Sequence, residues 1–386
     1  MRSSTIIALF YAIYFGAIGL YTPYLAMYLQ AIGLSPSTLA RVMALGPAMM
    51  LLSPPLFGLV ADARHSRVWV LRGCIGMTAV AFVGFLFGQG LMMLYLTIAV
   101  FSLFRAPIPS LVDSAALTAA EREGTTYGVI RLWGSLGFVV TVQAGGFVLG
   151  AAGVRTVLTL GAMFFGMAAL LAWRLPAPPL VVRPQIVSSW LRLLAHRRMW
   201  IFVATAALTQ TAGSAYDTCY ALHLTALGHS GAFIGLAWGL GALGEMLLLW
   251  RSGVLFARFG PTLLLAGALG IAVVRWTLIA TLHAPWALLL VQPLHAFTFG
   301  LFYVSSVMWV REHAGEELPT AAQGLFAAAT GLGATLGTAG SGPLFARFGG
   351  QGVFLAAGAV AALGFAGTLL LLQGGREARR RSTATR

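Results

Sequence analysis

The chain has little charge, no lysine and few cysteines. Of its 386 residues only 9% are charged, whereas 59% are hydrophobic and the mean hydropathy is +0.87. A soluble domain of this length carries about a quarter of its residues charged to cover its surface. The composition therefore excludes an ordinary soluble protein and indicates a chain surrounded by lipid.

The absence of lysine excludes several kinds of chemistry. All 24 basic residues are arginines, so the chain lacks both the P-loop lysine and a lysine that could form a Schiff base. ATP-driven pumping by this chain alone is not expected. The two cysteines, Cys74 and Cys219, lie in apolar runs without the spacing of a metal or redox motif. We predict no metal and no cofactor.

Apolar runs long enough to cross a bilayer, about 20 residues each, occur twelve times. They lie near 4–29, 38–60, 68–87, 91–117, 127–149, 154–174, 199–223, 231–252, 261–282, 286–310, 320–342 and 351–373. The sequence predicts an all-α membrane protein of twelve transmembrane helices. The predicted divisions are a six-helix bundle over 1–175, a cytoplasmic basic, proline-containing linker over 176–198, a second bundle over 199–373 and an arginine-rich tail over 374–386.

The net charge of +14 is distributed in the short gaps between the apolar runs. Such a distribution is a topology signal and not the basic face of a nucleic-acid-binding domain. With the amino terminus inside, seventeen arginines fall in cytoplasmic segments and three, Arg41, Arg155 and Arg347, fall on the other side. We predict cytoplasmic termini in a bacterial-type inner (plasma) membrane.

The two predicted halves repeat each other in sequence. A shift of 195 residues places 28–35 on 223–230, with identities that include Leu29/Leu224 and Gly33/Gly228. Six helices separate the copies, so the repeat keeps its direction across the membrane. Parallel halves with a solute site near the midplane are typical of alternating-access carriers.

The end of the second apolar run carries a loop motif, Gly58-Leu-Val-Ala-Asp62-Ala-Arg64-His-Ser-Arg67. It is similar to the cytoplasmic loop motif of the major facilitator superfamily, although an ordinary basic loop is the alternative. The resemblance implies two pseudo-symmetric six-helix bundles. It also implies a gate loop that comprises Gly58, Asp62, Arg64, Arg67 and, in the second half, Arg258.

A sharper resemblance lies in both halves. The segment Tyr127-Gly-Val-Ile-Arg131-Leu-Trp133-Gly134 is similar to the Gly-x-x-Arg-x-Trp-Gly signature of the proton-coupled sugar carriers typified by lactose permease and of the related phenylpropionate permeases. Asp113 precedes Arg131 by 18 residues and Arg275 precedes His295 by 20, which are the spacings of that group.

This resemblance implies two sets of functional residues. The predicted substrate-binding set is Asp113, Arg131, Phe138, Trp133 and Arg105. The predicted proton-coupling set is Glu245, Arg275, His295 and Asp217. A charge at the centre of a transmembrane helix costs at least about 2.5–3.5 kcal/mol, so these residues require paired or wet surroundings.

Other interpretations exist for several of these residues. Asp113 and Arg131 could hydrogen-bond a polar solute or form a salt bridge that only holds helices together. His295 could be a satisfied core histidine. Arg105, beside two prolines, could mark a broken helix or extend toward the membrane interface.

The chain departs from the sugar carriers at several positions. Phe138 stands where that group has a tryptophan, which weakens a sugar assignment and favours an aromatic or smaller ligand. Thr298 replaces a glutamate that handles the proton, and a threonine does not release a proton near neutral pH. Asp217 or Glu245 would then carry the proton, because desolvation favours the neutral form of an acid.

We therefore predict a transporter and not an enzyme, with inward movement of a small organic solute coupled to protons. An aromatic carboxylate of the phenylpropionate kind is the leading substrate, because Arg105, Arg131 and Arg275 outnumber the acids expected to stay deprotonated. A saccharide is the alternative, followed by a nucleoside and by drug export. An intramembrane hydrolase is disfavoured, since no histidine is placed to activate Ser135 or Ser341. The resemblance implies a monomer in lipid.

Overall fold

A computed structural model describes residues 2–64, 67–87, 90–176, 196–313 and 319–384, without the side chains of 54–55, 58–67, 252, 319–321 and 374–384. All regular elements in these residues are helices, and no strand occurs among them. The protein is therefore all-helical over the described ranges.

The helices differ widely in length. In the first part of the chain they are α1 Ser3–Tyr21, α2 Leu25–Ala31, α3 Pro36–Arg64, α4 Arg67–Phe87, α5 Leu91–Arg105, α6 Ile108–Glu123 and α7 Tyr127–Ala172. They continue as α8 Arg197–Ala226, α9 Gly231–Thr281, α10 Pro285–Val291, a 3₁₀ turn Gln292–Leu294, a π-helical segment Ala296–Leu301, α11 Phe302–His313 and α12 Pro319–Ala384.

Three of the long helices contain a glycine with non-helical backbone. These are Gly153 in α7 (φ 80°), Gly260 in α9 (φ 69°) and Gly349 in α12 (φ 64°). Because a positive φ of this kind is readily adopted only by glycine, each of them divides its helix into two helical pieces without a loop. Eight segments of the described residues are long and apolar enough to cross a membrane, with the 46-residue α7 counted as one.

The chain forms two compact units. The first contains Met1–Val182 and Asp217–Gly239, and the second contains Arg183–Tyr216 and Leu240–Arg386. The segment Asp217–Gly239 therefore groups with the first unit, although the predicted second bundle begins at 199. Most of the predicted linker and the side chains of the predicted tail lie outside the described residues.

The predicted repeat appears as two turns with the same hydrogen bonds. Gly33 ends α2 with φ 93°, and Gly228 ends α8 with φ 83°. In each turn the amide after the glycine bonds back to a leucine carbonyl, Leu34 to Leu29 at 3.1 Å and His229 to Leu224 at 3.0 Å. This is a Schellman ending, and it requires a left-handed residue where both copies have glycine.

Each unit also contains a close contact between two helices at a glycine. Gly137 of α7 lies so near the carbonyl oxygen of Ala12 in α1 that a Cβ would overlap it. Gly333 of α12 lies in the same way against the carbonyl of Ala207 in α8, and Ala207 is the residue that the repeat aligns with Ala12. Small residues let membrane helices approach to backbone contact.

Aromatic rings form much of each core. In the first unit, Phe82 packs on Phe165 with ring centroids 4.8 Å apart and on Phe101 at 5.3 Å. In the second, Phe202 stacks on Trp309 at 4.4 Å. These rings join α4, α5 and α7 in the first unit and α8 and α11 in the second.

Candidate functional site

Asp113, Arg131 and Tyr11 meet in the first unit. Tyr11 of α1 donates a hydrogen bond from its hydroxyl to the carboxylate of Asp113 on α6. The guanidinium carbon of Arg131, on α7, lies 4.0 Å from the ring centroid of Phe15 and 5.3 Å from that of Tyr11. The helix α1 therefore supplies both aromatic residues. The hydroxyl of Tyr11 contacts the carboxylate of Asp113, and the rings of Tyr11 and Phe15 both lie near the guanidinium of Arg131.

Arg131 stacks on rings and does not pair with an acid. Among the described residues, no ion pair of 4.0 Å or less joins Arg131 to Asp113. Stacking uses the flat face of a guanidinium, whereas its N–H donors lie in the plane and stay directed outward. Gly134 makes room for this arrangement, because a Cβ there would lie 2.9 Å from the Phe15 ring.

The other predicted substrate residues occupy different surroundings. Phe138 is half-buried and follows Arg131 by seven residues, which puts it on the same face of α7. Trp133 is 50% exposed, and its position two residues from Arg131 directs it to another side of the helix. Arg105 ends α5, with its guanidinium 5.5 Å from the Phe101 ring centroid and Nη2 3.3 Å from the sulfur of Met50. The helix is broken there, because α6 begins only at Ile108.

The second unit contains a fully buried arginine. Arg275 has no exposed surface, and its guanidinium lies 4.5 Å from the ring centroids of both Tyr216 and Trp276. Its Nη1 donates a hydrogen bond of 2.8 Å to Thr298 Oγ1. The threonine that replaces the family glutamate is therefore a direct neutral partner of this cation.

His295 lies beside Glu245 in the same unit. The distance from His295 Nε2 to Glu245 Oε2 is 4.0 Å, and the two side chains are 19% and 24% exposed. The imidazole stacks on Phe299 with ring centroids 5.5 Å apart and on Tyr216 at the same distance. Gly300 leaves space for the acid, since a Cβ there would lie 2.9 Å from Glu245 Cγ.

The backbone is irregular where these groups meet. The 3₁₀ turn Gln292–Leu294 and the π-helical segment Ala296–Leu301 flank His295 on either side. Tyr216 of α8 donates a 3.1 Å hydrogen bond to Gln292 Oε1. The irregular segment is therefore bonded to a helix outside itself. Single π turns inside helices occur frequently at functional sites.

The remaining predicted residues are exposed or have side chains outside the described part of the chain. Asp217 is exposed and belongs to the segment that groups with the first unit. Arg258 is exposed, with its guanidinium 5.2 Å from the ring centroid of its neighbour Phe259. The side chains of the other gate-loop residues, Gly58, Asp62, Arg64 and Arg67, lie outside the described part of the chain. Within the described part, no group of three or more potential metal ligands occurs.

The rings that hold the two arginines are absent from the predicted set. Tyr11, Phe15 and Trp276 belong to no motif, and α1 is apolar along its length, so its inward face has no periodic signal. The available signals are adjacencies in the sequence, because Trp276 directly follows Arg275 and Tyr216 directly precedes Asp217.

Known proteins resemble this chain over most of its length. A family model described as "MFS_1 like family" matches residues 4–356. The "Probable 3-phenylpropionic acid transporter" of Escherichia coli (strain K12) is 30% identical over 328 residues, which cover 82% of this chain and 85% of that protein. The "Maltose permease" of Geobacillus stearothermophilus is 30% identical over 348 residues, 89% of this chain and 88% of that protein.

Solved structures show the same fold. The crystal structure of the nucleoside transporter NupG superposes with a TM-score of 0.83 over 96% of this chain and 99% of that chain, at 20% sequence identity. Because the family model covers nearly the whole sequence and both relatives are named for transport, the chain is a member of the major facilitator superfamily and a transporter of that kind.

Proposed function

We propose that this protein takes up a small aromatic carboxylate together with protons. The observation that carries the proposal is the state of Arg131, which is stacked on Phe15 and Tyr11 and has no acid within 4.0 Å among the described residues. In this proposal the chain has twelve transmembrane helices in two six-helix bundles, with both termini in the cytoplasm.

The substrate class follows from the chemistry around Arg131. A cation inside a membrane protein is costly unless a counter-charge or water accompanies it. A carboxylate can receive two parallel N–H bonds from a guanidinium, and Phe138 and Phe15 supply apolar surface for an attached ring. The relative in Escherichia coli that is named for 3-phenylpropionic acid supports this choice.

The charge of Asp113 influences where a ligand carboxylate can bind. Its carboxylate accepts a hydrogen bond from the Tyr11 hydroxyl and makes no ion pair of 4.0 Å or less with Arg131. The acid would therefore repel a ligand carboxylate that came too close and would leave the guanidinium as the preferred anion contact.

Proton coupling is assigned to Glu245 and His295. At 4.0 Å the two groups are too far apart for a hydrogen bond but close enough for the charge of one to affect the protonation of the other, whereas Thr298 does not release a proton near neutral pH. Protonation of Glu245 removes one charge from the protein interior, and this lowers the cost of the conformations in which the substrate is enclosed. Arg275, held by rings and by Thr298, supplies a fixed positive charge to the same unit.

Carbohydrate uptake is the second candidate. The maltose permease of Geobacillus stearothermophilus is as similar to this chain as the phenylpropionic acid transporter is. The Asp113 carboxylate, with Tyr11 beside it, could accept hydrogen bonds from sugar hydroxyls.

Counterflow in proteoliposomes distinguishes these substrates. The purified protein is reconstituted with unlabelled 3-phenylpropionate, maltose or uridine inside, and entry of the matching labelled compound is followed. We expect an overshoot with 3-phenylpropionate alone. An overshoot with maltose alone would transfer the assignment to carbohydrates, an overshoot with uridine alone would transfer it to nucleosides, and the absence of an overshoot with 3-phenylpropionate would contradict the proposal.

Glu245→Gln tests the coupling. The amide cannot release a proton, so we expect accumulation driven by a pH gradient to fall at least about tenfold, whereas counterflow, which needs no net proton movement, continues. The matched control is Glu121→Gln, an exposed acid on α6. Accumulation at the wild-type level in Glu245→Gln would exclude Glu245 as the proton carrier.

A further inference from the structure

The second unit contains a cavity that the proposed transport does not use. It has a volume of about 310 Å³ and is lined by His196, Arg197, Arg198, Met199, Trp309 and His313. It lies where α8 begins and α11 ends, and the exposed His196 and Arg197 open it to the surface. The transport residues Arg275 and His295 are not among the residues that line it.

Two of the residues that line this cavity are positively charged. Arg197 and Arg198 are the first two residues of α8, whose amino-terminal end adds a favourable field for an anion. Arg198 donates from Nη2 to the carbonyl of Leu371 at 3.4 Å, but its buried Nε has no hydrogen-bond partner among the described residues. Among the described residues of α11, the acid beside the cavity residue His313 is Glu312, which is exposed.

The lining also contains the apolar side chains of Met199 and Trp309. Met199 and Trp309 are buried, and Trp309 is clamped between Phe202 at 4.4 Å and His313 at 4.2 Å, measured between ring centroids. Trp200, the next residue of α8, is 54% exposed. An exposed tryptophan beside arginines at the end of an apolar helix is typical of the membrane–water interface.

These features together match a lipid headgroup more closely than a soluble anion. The two arginines and the amino-terminal end of α8 suit a phosphate. The buried Met199 and Trp309 and the exposed indole of Trp200 suit the glycerol backbone and the acyl chains. Basic pockets between transmembrane helices at the interface bind anionic headgroups in this manner. We propose that the cavity binds the phosphodiester headgroup of an anionic phospholipid, with Arg197 and Arg198 on the phosphate and Trp200 along the lipid chains.

Native mass spectrometry of the purified full-length protein tests this proposal. The probes are phosphatidylglycerol, phosphatidylcholine with the same acyl chains, and sn-glycerol 3-phosphate without chains. We expect phosphatidylglycerol to bind at least about tenfold more tightly than either other probe, because only this lipid combines an uncompensated phosphate with acyl chains.

Variants assign the binding to the cavity. Arg197→Gln/Arg198→Gln is expected to weaken phosphatidylglycerol binding about tenfold, since two charge-assisted contacts are lost. The matched control is Arg122→Gln/Arg155→Gln, which removes two positive charges from the first unit. Arg197→Glu alone changes an exposed residue and leaves the bond from Arg198 to Leu371 in place, so it serves if the double variant does not fold.

Each other outcome overturns the proposal. Equal binding of phosphatidylglycerol and phosphatidylcholine would show that the cavity does not select an anionic headgroup. Equal binding of sn-glycerol 3-phosphate would assign the cavity to a soluble phosphate ester. An equal loss in the control variant would show that net charge, and not the cavity, attracts the lipid.

Discussion

The arginines Arg131 and Arg275, one in each unit, differ in their burial and in the side chains that contact them. Arg131 of the first unit lies on the rings of Phe15 and Tyr11, is only partly buried and has its neighbouring acid occupied by a tyrosine hydroxyl. Arg275 of the second unit is fully buried, lies 4.5 Å from two ring centroids and donates to a threonine.

This difference indicates that Arg131 is suited to bind a ligand, whereas Arg275 is suited to support the structure around it. A partly exposed guanidinium that lies over aromatic rings and makes no ion pair among the described residues is suited to a ligand that comes and goes. A fully buried one, fixed by rings and a hydroxyl, is suited to a constant charge that orients its neighbours. We therefore expect substitutions of Arg131 to affect transport and substitutions of Arg275 to affect stability as well.

Arg131→Ala gives the largest expected effect. Two charge-assisted hydrogen bonds to the substrate would be lost, and we expect uptake of labelled 3-phenylpropionate to fall at least about 100-fold. The melting temperature should stay within a few degrees of wild type, because no ion pair of Arg131 with Asp113 is broken. Arg155→Ala, at an exposed arginine bonded to the Leu86 carbonyl, is the control. Uptake at the wild-type level in Arg131→Ala would remove this residue from the substrate site.

Arg275→Ala should act on the folded state. Truncation of this fully buried side chain leaves a cavity between Tyr216 and Trp276 and removes the partner of Thr298, so we expect a loss of about 2–5 kcal/mol of stability. The measurement is the melting temperature in detergent, compared with that of Arg131→Ala. Equal melting temperatures for the two variants would contradict the distinction between the two arginines.

Tyr11→Phe sharpens the comparison within the first unit. The ring under Arg131 is kept, and only the hydroxyl that donates to Asp113 is removed. The loss of one hydrogen bond to a charged group should raise the KM of uptake roughly 10-fold, with little change in the maximum rate. Tyr95→Phe, at a tyrosine of α5 outside both clusters, is the control, and an equal change in both variants would show that the hydroxyl of Tyr11 has no special role.

Gly300→Ala gives the smallest expected effect. The added Cβ would meet Glu245 Cγ at 2.9 Å, so the acid must shift a few tenths of an ångström from its place beside His295. We expect proton-driven accumulation to fall about two- to fivefold, because moving Glu245 by this distance costs less than about 1 kcal/mol of free energy. Gly267→Ala, where a Cβ meets nothing within 4 Å, should leave accumulation unchanged. Equal accumulation in Gly300→Ala and Gly267→Ala would show that the position of Glu245 beside Gly300 does not affect coupling.

The sequence predicted the helical character of the chain and its family from composition, from the repeat and from the loop and helix motifs. Apolar runs report burial in lipid regardless of tertiary contacts, and the Gly33/Gly228 turns depend on a local backbone requirement. Such features are encoded locally, so a single sequence is sufficient to find them.

The partners of the charged residues could not be predicted in the same way. Spacing along the chain placed Asp113 near Arg131, but it did not show that Tyr11, more than 100 residues away, takes the acid. Trp133 belongs to the motif, yet helical geometry directs it to a different side from Arg131, which the spacing of two residues already indicates. Likewise, nothing local in Thr298 shows that it would accept a bond from Arg275.

The π-helical segment Ala296–Leu301 contains one residue more per turn than its surroundings. If it closed into an ordinary α-helix, the residues on one side of it would rotate by roughly 100° relative to those on the other. Thr298 would then leave Arg275, or His295 would leave Glu245, although the helix axis stayed in place. One local change of backbone register within a single helix can therefore separate Arg275 from Thr298 or His295 from Glu245.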